Sequence, residues 1–269
     1  MGADKQFIVD DYEAKFITQV GHSISRFYCY RSNGFLQPSD FDSNGKALVP
    51  IVAGEEVGNR KYVDTDKNGI INTNDYQPYG NNFPDVTFGF TNRFSYKGLE
   101  LSVMLQGQVG GKIYFLGARH MDTGVAGGRR LYSRWLRCYK PDWESKYGQG
   151  NPIPTDYITK NNIDMSWDGK TPNPWGQSNL NDDSRVYDAS YLRVKNITLS
   201  YTLPKLLLSK TVLSSAKFYV SLDNVKTFDN YVGYTPESNR FGSTTTELGV
   251  DYSTYPLSRR CTVGINLVF

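Results

Sequence analysis

Leu257-Ser-Arg-Arg-Cys-Thr-Val-Gly-Ile-Asn-Leu-Val-Phe269 decides how this chain is read. Cys261, Val263, Ile265, Leu267 and Phe269 fall on one face, and Arg260, Thr262, Gly264 and Asn266 on the other. A period of two marks a strand with an apolar phase on one side and water on the other. A soluble sandwich can carry the same pattern, but exposed termini usually fray in polar residues. An outer-membrane strand has lipid-facing apolar residues, a polar lumen face and an aromatic at the membrane interface. Phe269 fits that ending and is the expected signal for barrel assembly.

Composition agrees. The chain of 269 residues is 39% hydrophobic, and its mean hydropathy is −0.50. No run approaches the roughly 18 apolar residues of a spanning helix, which excludes a helical membrane protein but not a barrel, whose alternating strands average out polar. Aromatics make up 14%, with 20 Tyr and 14 Phe, enough for interfacial girdles or for a tyrosine-rich carbohydrate-binding β-protein. A net charge of +3 is too small to argue for nucleic acid as a partner. Cys29, Cys138 and Cys261 are far apart, with neither metal nor disulfide spacing, so they are expected to be incidental. Met1-Gly-Ala-Asp-Lys-Gln6 has neither a basic nor an apolar leader region. A membrane barrel must be exported, so the chain is expected to be the C-terminal part of a longer protein.

Further strands follow the same alternation. Val86, Phe88, Phe90, Phe94 and Tyr96 alternate with Thr87, Gly89, Thr91, Arg93 and Ser95. After the Lys97-Gly98 turn, Leu99, Leu101, Val103 and Leu105 alternate with Glu100, Ser102, Met104 and Gln106. Both arms have about the 9–11 residues that a tilted strand needs to cross a bilayer. A second hairpin pairs 191–203 with 216–223, closed by a short turn that begins at Pro204. With a weaker strand near 24–34 and the terminal strand at 257–269, the expected fold is all-β. It is an antiparallel outer-membrane β-barrel segment of about six strands (24–34, 86–96, 99–107, 191–203, 216–223, 257–269), an incomplete barrel. Its connections 35–85, 108–190 and 224–256 are much longer than the roughly 12–15 residues usual in compact domains, and all three fall on one side, as extracellular loops do. A short helix is expected around 129–138. Arg193 and Lys195 fall on the apolar register of their strand, where snorkelling to head groups at its outer end would make them tolerable.

Asp64-Thr-Asp-Lys-Asn-Gly-Ile-Ile-Asn-Thr-Asn-Asp75 fits a twelve-residue calcium loop. Asp64, Asp66 and Asn68 supply oxygens at positions 1, 3 and 5, and Gly69 allows the turn at position 6. Ile70 offers its carbonyl, Asn72 stands at position 9, and Asp75 replaces the usual bidentate Glu at position 12. The shorter carboxylate weakens calcium or lets magnesium compete, and the role would be structural. An Asx-rich surface turn that binds nothing is the alternative. No zinc spacing, nucleophile elbow or phosphate-binding glycine loop is present, so no catalytic residues are expected. Asp182 and Asp183 are adjacent and read as a solvated pair rather than as glycosidase carboxylates. Trp135, Trp143, Trp167 and Trp175 all lie in the longest connection. They are candidates for stacking on a sugar or anchoring a partner, or else for the packing core of a folded loop.

These residues together resemble the C-terminal part of a SusC/RagA-type TonB-dependent outer-membrane transporter. Carrying the resemblance are Tyr62-Val-Asp-Thr-Asp-Lys-Asn-Gly69, Phe83-Pro-Asp-Val-Thr-Phe-Gly-Phe90 and Phe94-Ser-Tyr-Lys-Gly-Leu-Glu-Leu-Ser102. So do Tyr191-Leu-Arg-Val-Lys-Asn-Ile-Thr-Leu-Ser-Tyr-Thr-Leu-Pro204, Asp223-Asn-Val225, Tyr255-Pro-Leu257 and the ending at Phe269. The resemblance implies a 22-stranded barrel that imports oligosaccharides or peptides across the outer membrane of a Gram-negative bacterium. Implied partners are a SusD-type surface lipoprotein, the TonB complex acting through a missing N-terminal part, the barrel assembly machinery and membrane lipid. The plug domain is absent from this sequence. The rival reading is a secreted soluble calcium-binding β-protein, such as a glycan-binding module, which would bury its apolar face in a core instead of presenting it to lipid.

Overall fold

The computed structural model describes residues 5–11, 14–117, 137, 160, 167–172, 180–240, 246–252 and 254–269. The chain divides into two units, the first made of residues 1–20, 26–79 and 115–186, the second of 21–25, 80–114 and 187–269.

Among its described residues the first unit carries the short strands β1 (Gln6–Asp11), β2 (Ala14–Gln19), β3 (Arg26–Cys29), β4 (Ser32–Phe35), β5 (Arg60–Tyr62) and β6 (Gln77–Tyr79). They form a sheet ordered β1-β2-β3-β6 and a separate β4-β5 pair. Its core is aromatic: Tyr30 stacks 4.2 Å from Tyr76 and 5.3 Å from Tyr62, with Ile71 in the same cluster. The single strand expected near 24–34 does not form. Tyr30 leaves the ladder to donate its N–H to Asn181 and bridges Asp182, so β3 and β4 end up in different sheets. The mixed burial of that stretch is the physical reason, because a segment without one clean apolar face has no single sheet to pack against.

The second unit holds β7 (Val86–Tyr96), β8 (Leu99–Val109), β9 (Lys112–Phe115), β10 (Val186–Asp188), β11 (Tyr191–Thr202), β12 (Ser215–Asp229), β13 (Val250–Asp251) and β14 (Arg260–Val268), the ends of β9 and β10 reaching into the first. Five of them make one antiparallel sheet ordered β14-β12-β11-β8-β7. It has five strands, not six, since the 24–34 stretch is not in it. β12 continues to Asp229, and residues 257–259 precede β14.

Cross-strand register lays the side chains of this sheet out in rows. Tyr96, Leu99, Tyr201, Phe218 and Ile265 form one row, followed by Phe94, Leu101, Leu199, Val220 and Val263. Next come Asn92, Val103, Ile197, Leu222 and Cys261, then Phe90, Leu105, Val194 and Lys226, then Phe88, Gly107, Leu192 and Phe228. Apart from Asn92, Lys226 and Gly107 this face is apolar, and aromatics concentrate at its two ends. Phe88 to Tyr96 spans about 27 Å at about 3.4 Å per residue, or about 21 Å of height at a tilt of about 40°, close to the roughly 25 Å apolar band of a membrane barrel. The face is uncovered: Leu199, in the middle strand with neighbours on both sides, is 47% exposed. Where Gly107 leaves a gap, the Phe88 ring fills it.

The opposite face is polar, with Arg93, Glu100, Ser102, Gln106, Asn196, Thr198, Ser221, Asp223 and Thr262. Arg193 belongs to it, contrary to strict alternation. Lys195 is an extra residue in β11, and the register shifts between Val194 and Asn196 against both neighbouring strands. One extra residue inverts the phase of everything before it. Arg193 is 1% exposed and does not snorkel toward head groups.

Candidate functional site

The 64–75 loop is built from backbone-to-carboxylate hydrogen bonds. Asp64 accepts from the N–H of Gly69 at 2.8 Å and of Asn68 at 3.3 Å, and Asp66 accepts from the N–H of Asn68 at 3.1 Å. Asn68 in turn accepts from the N–H of Ile70 at 2.9 Å. Positive φ at Lys67 and Gly69 makes the tight reversal possible. Asp75 is fully buried beside the aromatic core and closes the loop, accepting from the N–H of Thr65 at 2.7 Å and of Asn72 at 2.8 Å. The fold thereby brings carboxylate oxygens of Asp64, Asp66 and Asp75 within 4.8 Å of one another. The Asn72 side chain caps the short 3-10 turn Thr73–Asp75, accepting from the N–H of Asn74 at 2.8 Å. The three carboxylates among the six residues expected to hold a cation therefore converge.

Asp182 and Asp183 are structural anchors. Asp182 is buried and pairs with Arg60 at 3.3 Å while accepting from the Tyr62 hydroxyl at 3.3 Å. Asp183 accepts from Ser32 through both N–H and hydroxyl, at 2.9 and 2.6 Å, and pairs with Arg31 at 3.2 Å. Neither is solvated, because each neutralises a guanidinium of the first unit. Burial pushes the Cys29 thiol far above its usual range, helped by the charges of Asp183 and Asp182, so it stays an inert thiol. The Trp167 indole N–H is spent on the carbonyl of Thr171 at 3.0 Å, closing a turn. Trp135, Trp143 and Trp175, and all but residue 137 of the 129–138 helix, lie outside the described residues. Phe269 follows β14 and is exposed.

Sequence reading missed the polar cluster at the end of the sheet where the long connections leave. The Arg193 guanidinium pairs with Glu237, lies 4.9 Å from the centre of the Tyr191 ring and donates from Nε to the Thr227 hydroxyl at 2.9 Å. Glu237 also accepts from the Tyr191 hydroxyl and from Gln106 Nε2, the latter at 3.2 Å. Glu237 comes from the segment that follows β12, which is thus folded back onto the polar face and tied there. The same segment is knit by buried Asp251, which accepts from the Tyr231 hydroxyl at 2.7 Å and the Ser238 hydroxyl at 2.9 Å. Arg193 falling on the apolar register of its strand was the one available signal. Beside this cluster opens a cleft of about 650 Å³, lined among others by Phe88, Asp188, Tyr191, Lys226, Phe228 and Asn230. Burial raises the Asp188 carboxyl, but Ser190 and Lys112 outweigh it and hold the group below the usual range. The arrangement offers aromatic faces and fixed hydrogen-bonding groups, which can hold a polar solute.

No protein-family model matches the sequence. Over 257 residues the chain is 30% identical to the TonB-dependent receptor P3 of Formosa agariphila, covering 94% of this chain and 23% of that protein. It is 23% identical over 254 residues to the TonB-dependent receptor SusC of Bacteroides thetaiotaomicron, covering 93% of this chain and 20% of that one. In three dimensions it superposes on the RagAB peptide transporter with a TM-score of 0.67 and 20% identity, covering 98% of this chain and 24% of that chain. The chain thus spans about a quarter of the length of these proteins. In sequence and in fold it is similar to a SusC/RagA-type TonB-dependent receptor, a class of transporters and not of enzymes.

Proposed function

We propose that this chain forms part of the wall of a SusC/RagA-type TonB-dependent transporter in the outer membrane of a Gram-negative bacterium. The uncovered apolar face of the five-stranded sheet, bordered by aromatics and backed by a polar face, carries this reading. In lipid that face is solvated by acyl chains, and the polar face borders the path of the solute. The open edges, β7 and β14, pair with further strands, because an unpaired N–H or C=O in lipid costs several kcal/mol. The solute is an oligosaccharide or a peptide, a SusD-type lipoprotein covers the outer end, and the TonB complex supplies the energy. Function is binding and gating without covalent chemistry. A soluble glycan-binding module fits less well, since it would have to bury the rows from Tyr96 to Ile265 and from Phe94 to Val263, which stay exposed here.

The 64–75 loop completes the proposal as a structural divalent-cation site. Asp64, Asp66 and Asp75 would hold calcium or magnesium with Asn68 beside them, tying the loop to the aromatic core through buried Asp75.

Uptake measurements test the transport reading. Cells carrying the intact gene, a deletion of it, or a disabled TonB complex are given a panel of labelled oligosaccharides and peptides. Loss of uptake of one solute class in both altered strains is expected. Unchanged uptake of the whole panel in the deletion strain would contradict it.

A further inference from the structure

We propose that the turn between β11 and β12, Leu203–Ser214, is a membrane-surface anchor that docks on the anionic phospholipid headgroups at the short-turn end of the wall. The inference rests on the lipid-facing reading of the sheet. The turn reads Leu203-Pro-Lys-Leu-Leu-Leu-Ser-Lys-Thr-Val-Leu-Ser214, with two lysines and no acidic residue. Turns are ordinarily polar, built from Gly, Asn, Asp and Ser. This one leaves Leu206 84%, Leu207 64% and Val212 82% exposed, while Leu208 is buried and Leu203 and Leu213 are half-buried. The turn leaves the sheet just beyond the Tyr96–Leu99–Tyr201–Phe218–Ile265 row, where the aromatic end of the sheet lies.

Charge identifies the occupant. Lys205 and Lys210 lie in the turn, and Lys97 lies in the neighbouring β7–β8 turn, whose Gly98 carbonyl accepts from the N–H of Thr202 at 2.8 Å. A cationic rim around exposed leucines matches an anionic interface into which apolar side chains dip about 5–10 Å. The backbone is prepared for that depth. Leu207 donates to the Pro204 carbonyl and Thr211 to that of Leu208, both at 2.9 Å, while Ser214 donates to Val268 at 2.7 Å. The hydroxyls of Ser209 and Thr211 are turned onto the carbonyls of Leu206 and Leu208, both at 2.9 Å. Pro204 has no N–H to satisfy. These bonds satisfy part of the turn's polar groups internally, which lowers the cost of partial burial at an interface where headgroups and water meet the rest.

Spin labelling tests the anchor in the whole receptor, reconstituted in phosphatidylethanolamine–phosphatidylglycerol vesicles, with Cys138→Ser and Cys261→Ser as background. Nitroxides are placed singly by Leu206→Cys and Val212→Cys, and by Leu199→Cys on the sheet as a reference. The expected result is that labels at 206 and 212 lose access to a water-soluble nickel complex but keep access to oxygen, at a shallower depth than 199. Full nickel access at 206 and 212, with 199 still in lipid, would overturn the anchor and leave the wall reading intact. Exclusion of both oxygen and nickel at 206 and 212 would also overturn it, assigning the patch to a protein partner. Nickel access at all three positions would instead overturn the lipid-facing reading of the sheet.

Discussion

Arg193 pairs with Glu237 on the polar face of the sheet because Lys195, two residues further on, stands out of register and inverts the alternation between them. A side chain that simple alternation assigns to the apolar face is thereby buried on the other, and it fastens the segment after β12. In Glu237→Ala the guanidinium, only 2% exposed, would be left unpaired. Breaking a buried pair costs about 3–5 kcal/mol, and the partial exposure of Glu237 puts the expected loss near the lower end, about 3 kcal/mol. Urea unfolding of the detergent-solubilised receptor measures it, and proteolysis of the 230–240 segment should accelerate in parallel.

Deleting Lys195 should do more harm than replacing it. Deletion would force Arg193 or the Ile197–Leu199–Tyr201 stripe onto the wrong face, since a one-residue slip moves every side chain. Lys195→Ala keeps the bulge. The deletion is expected to abolish outer-membrane accumulation on an immunoblot, with the substitution near wild type.

Gly107 and Gly89 make a matched pair. A Cβ at Gly107 would stand 2.6 Å from the Tyr191 carbonyl oxygen and 2.6 Å from the Phe88 ring, whereas one at Gly89 meets nothing within 4 Å. Gly107→Ala is expected to cost about 1–3 kcal/mol, the usual range for overpacking, and Gly89→Ala to cost little. The same unfolding assay separates them.

Calorimetry reads the 64–75 loop directly. Calcium is expected to give a saturable heat with the wild type, and that heat should vanish in Asp64→Asn/Asp66→Asn. Equal heats for both proteins would assign the loop to an Asx turn without a cation.

Acid should loosen the turn at Gln37–Phe41 late. Burial raises the Asp40 carboxyl, but the Gln37 N–H at 2.8 Å and the Lys61 ammonium at 2.9 Å outweigh it and hold it below the usual carboxylate value. A depressed folded-state value means stabilisation that is present above the unfolded value, about 3.9, and lost as pH falls through the folded one. Amide exchange at Gln37 is expected to stay slow at pH 5 and to rise only below about pH 3.9; a rise already near pH 5 would contradict the assignment.

How much of this is legible in the sequence depends on how each residue meets its surroundings. Strands with one face in an apolar phase announce themselves, as Phe88 to Tyr96 and Leu99 to Leu105 do, because each outward residue is selected independently. The bulge at Lys195 is illegible, since one inserted residue leaves no compositional mark. The 24–34 stretch misleads for a related reason: Tyr30 and Cys29 are both buried, in a small fold whose contacts come from residues 76 and 181–182. The calcium-like loop is local, so its spacing is readable, whereas the Arg193–Glu237 pair joins residues 44 apart in sequence and nothing along the chain links them. Asp182 and Asp183 read as solvated because their partners, Arg60 and Arg31, are more than a hundred residues away.

The lipid-facing reading is tested most directly by one comparison of unfolding free energies, Leu199→Lys against Ser102→Lys, in the reconstituted receptor. Leu199 is already 47% exposed, so in a water-soluble protein a lysine there should change stability by no more than about 0.5 kcal/mol. In a bilayer, a lysine at Leu199, one row in from the aromatic end of the apolar band, costs about 1–3 kcal/mol, between the midplane and interfacial values, while Ser102, on the polar face, tolerates it. The expected result is a loss in that range for Leu199→Lys and little change for Ser102→Lys. Equal, small changes at both positions would contradict the membrane wall.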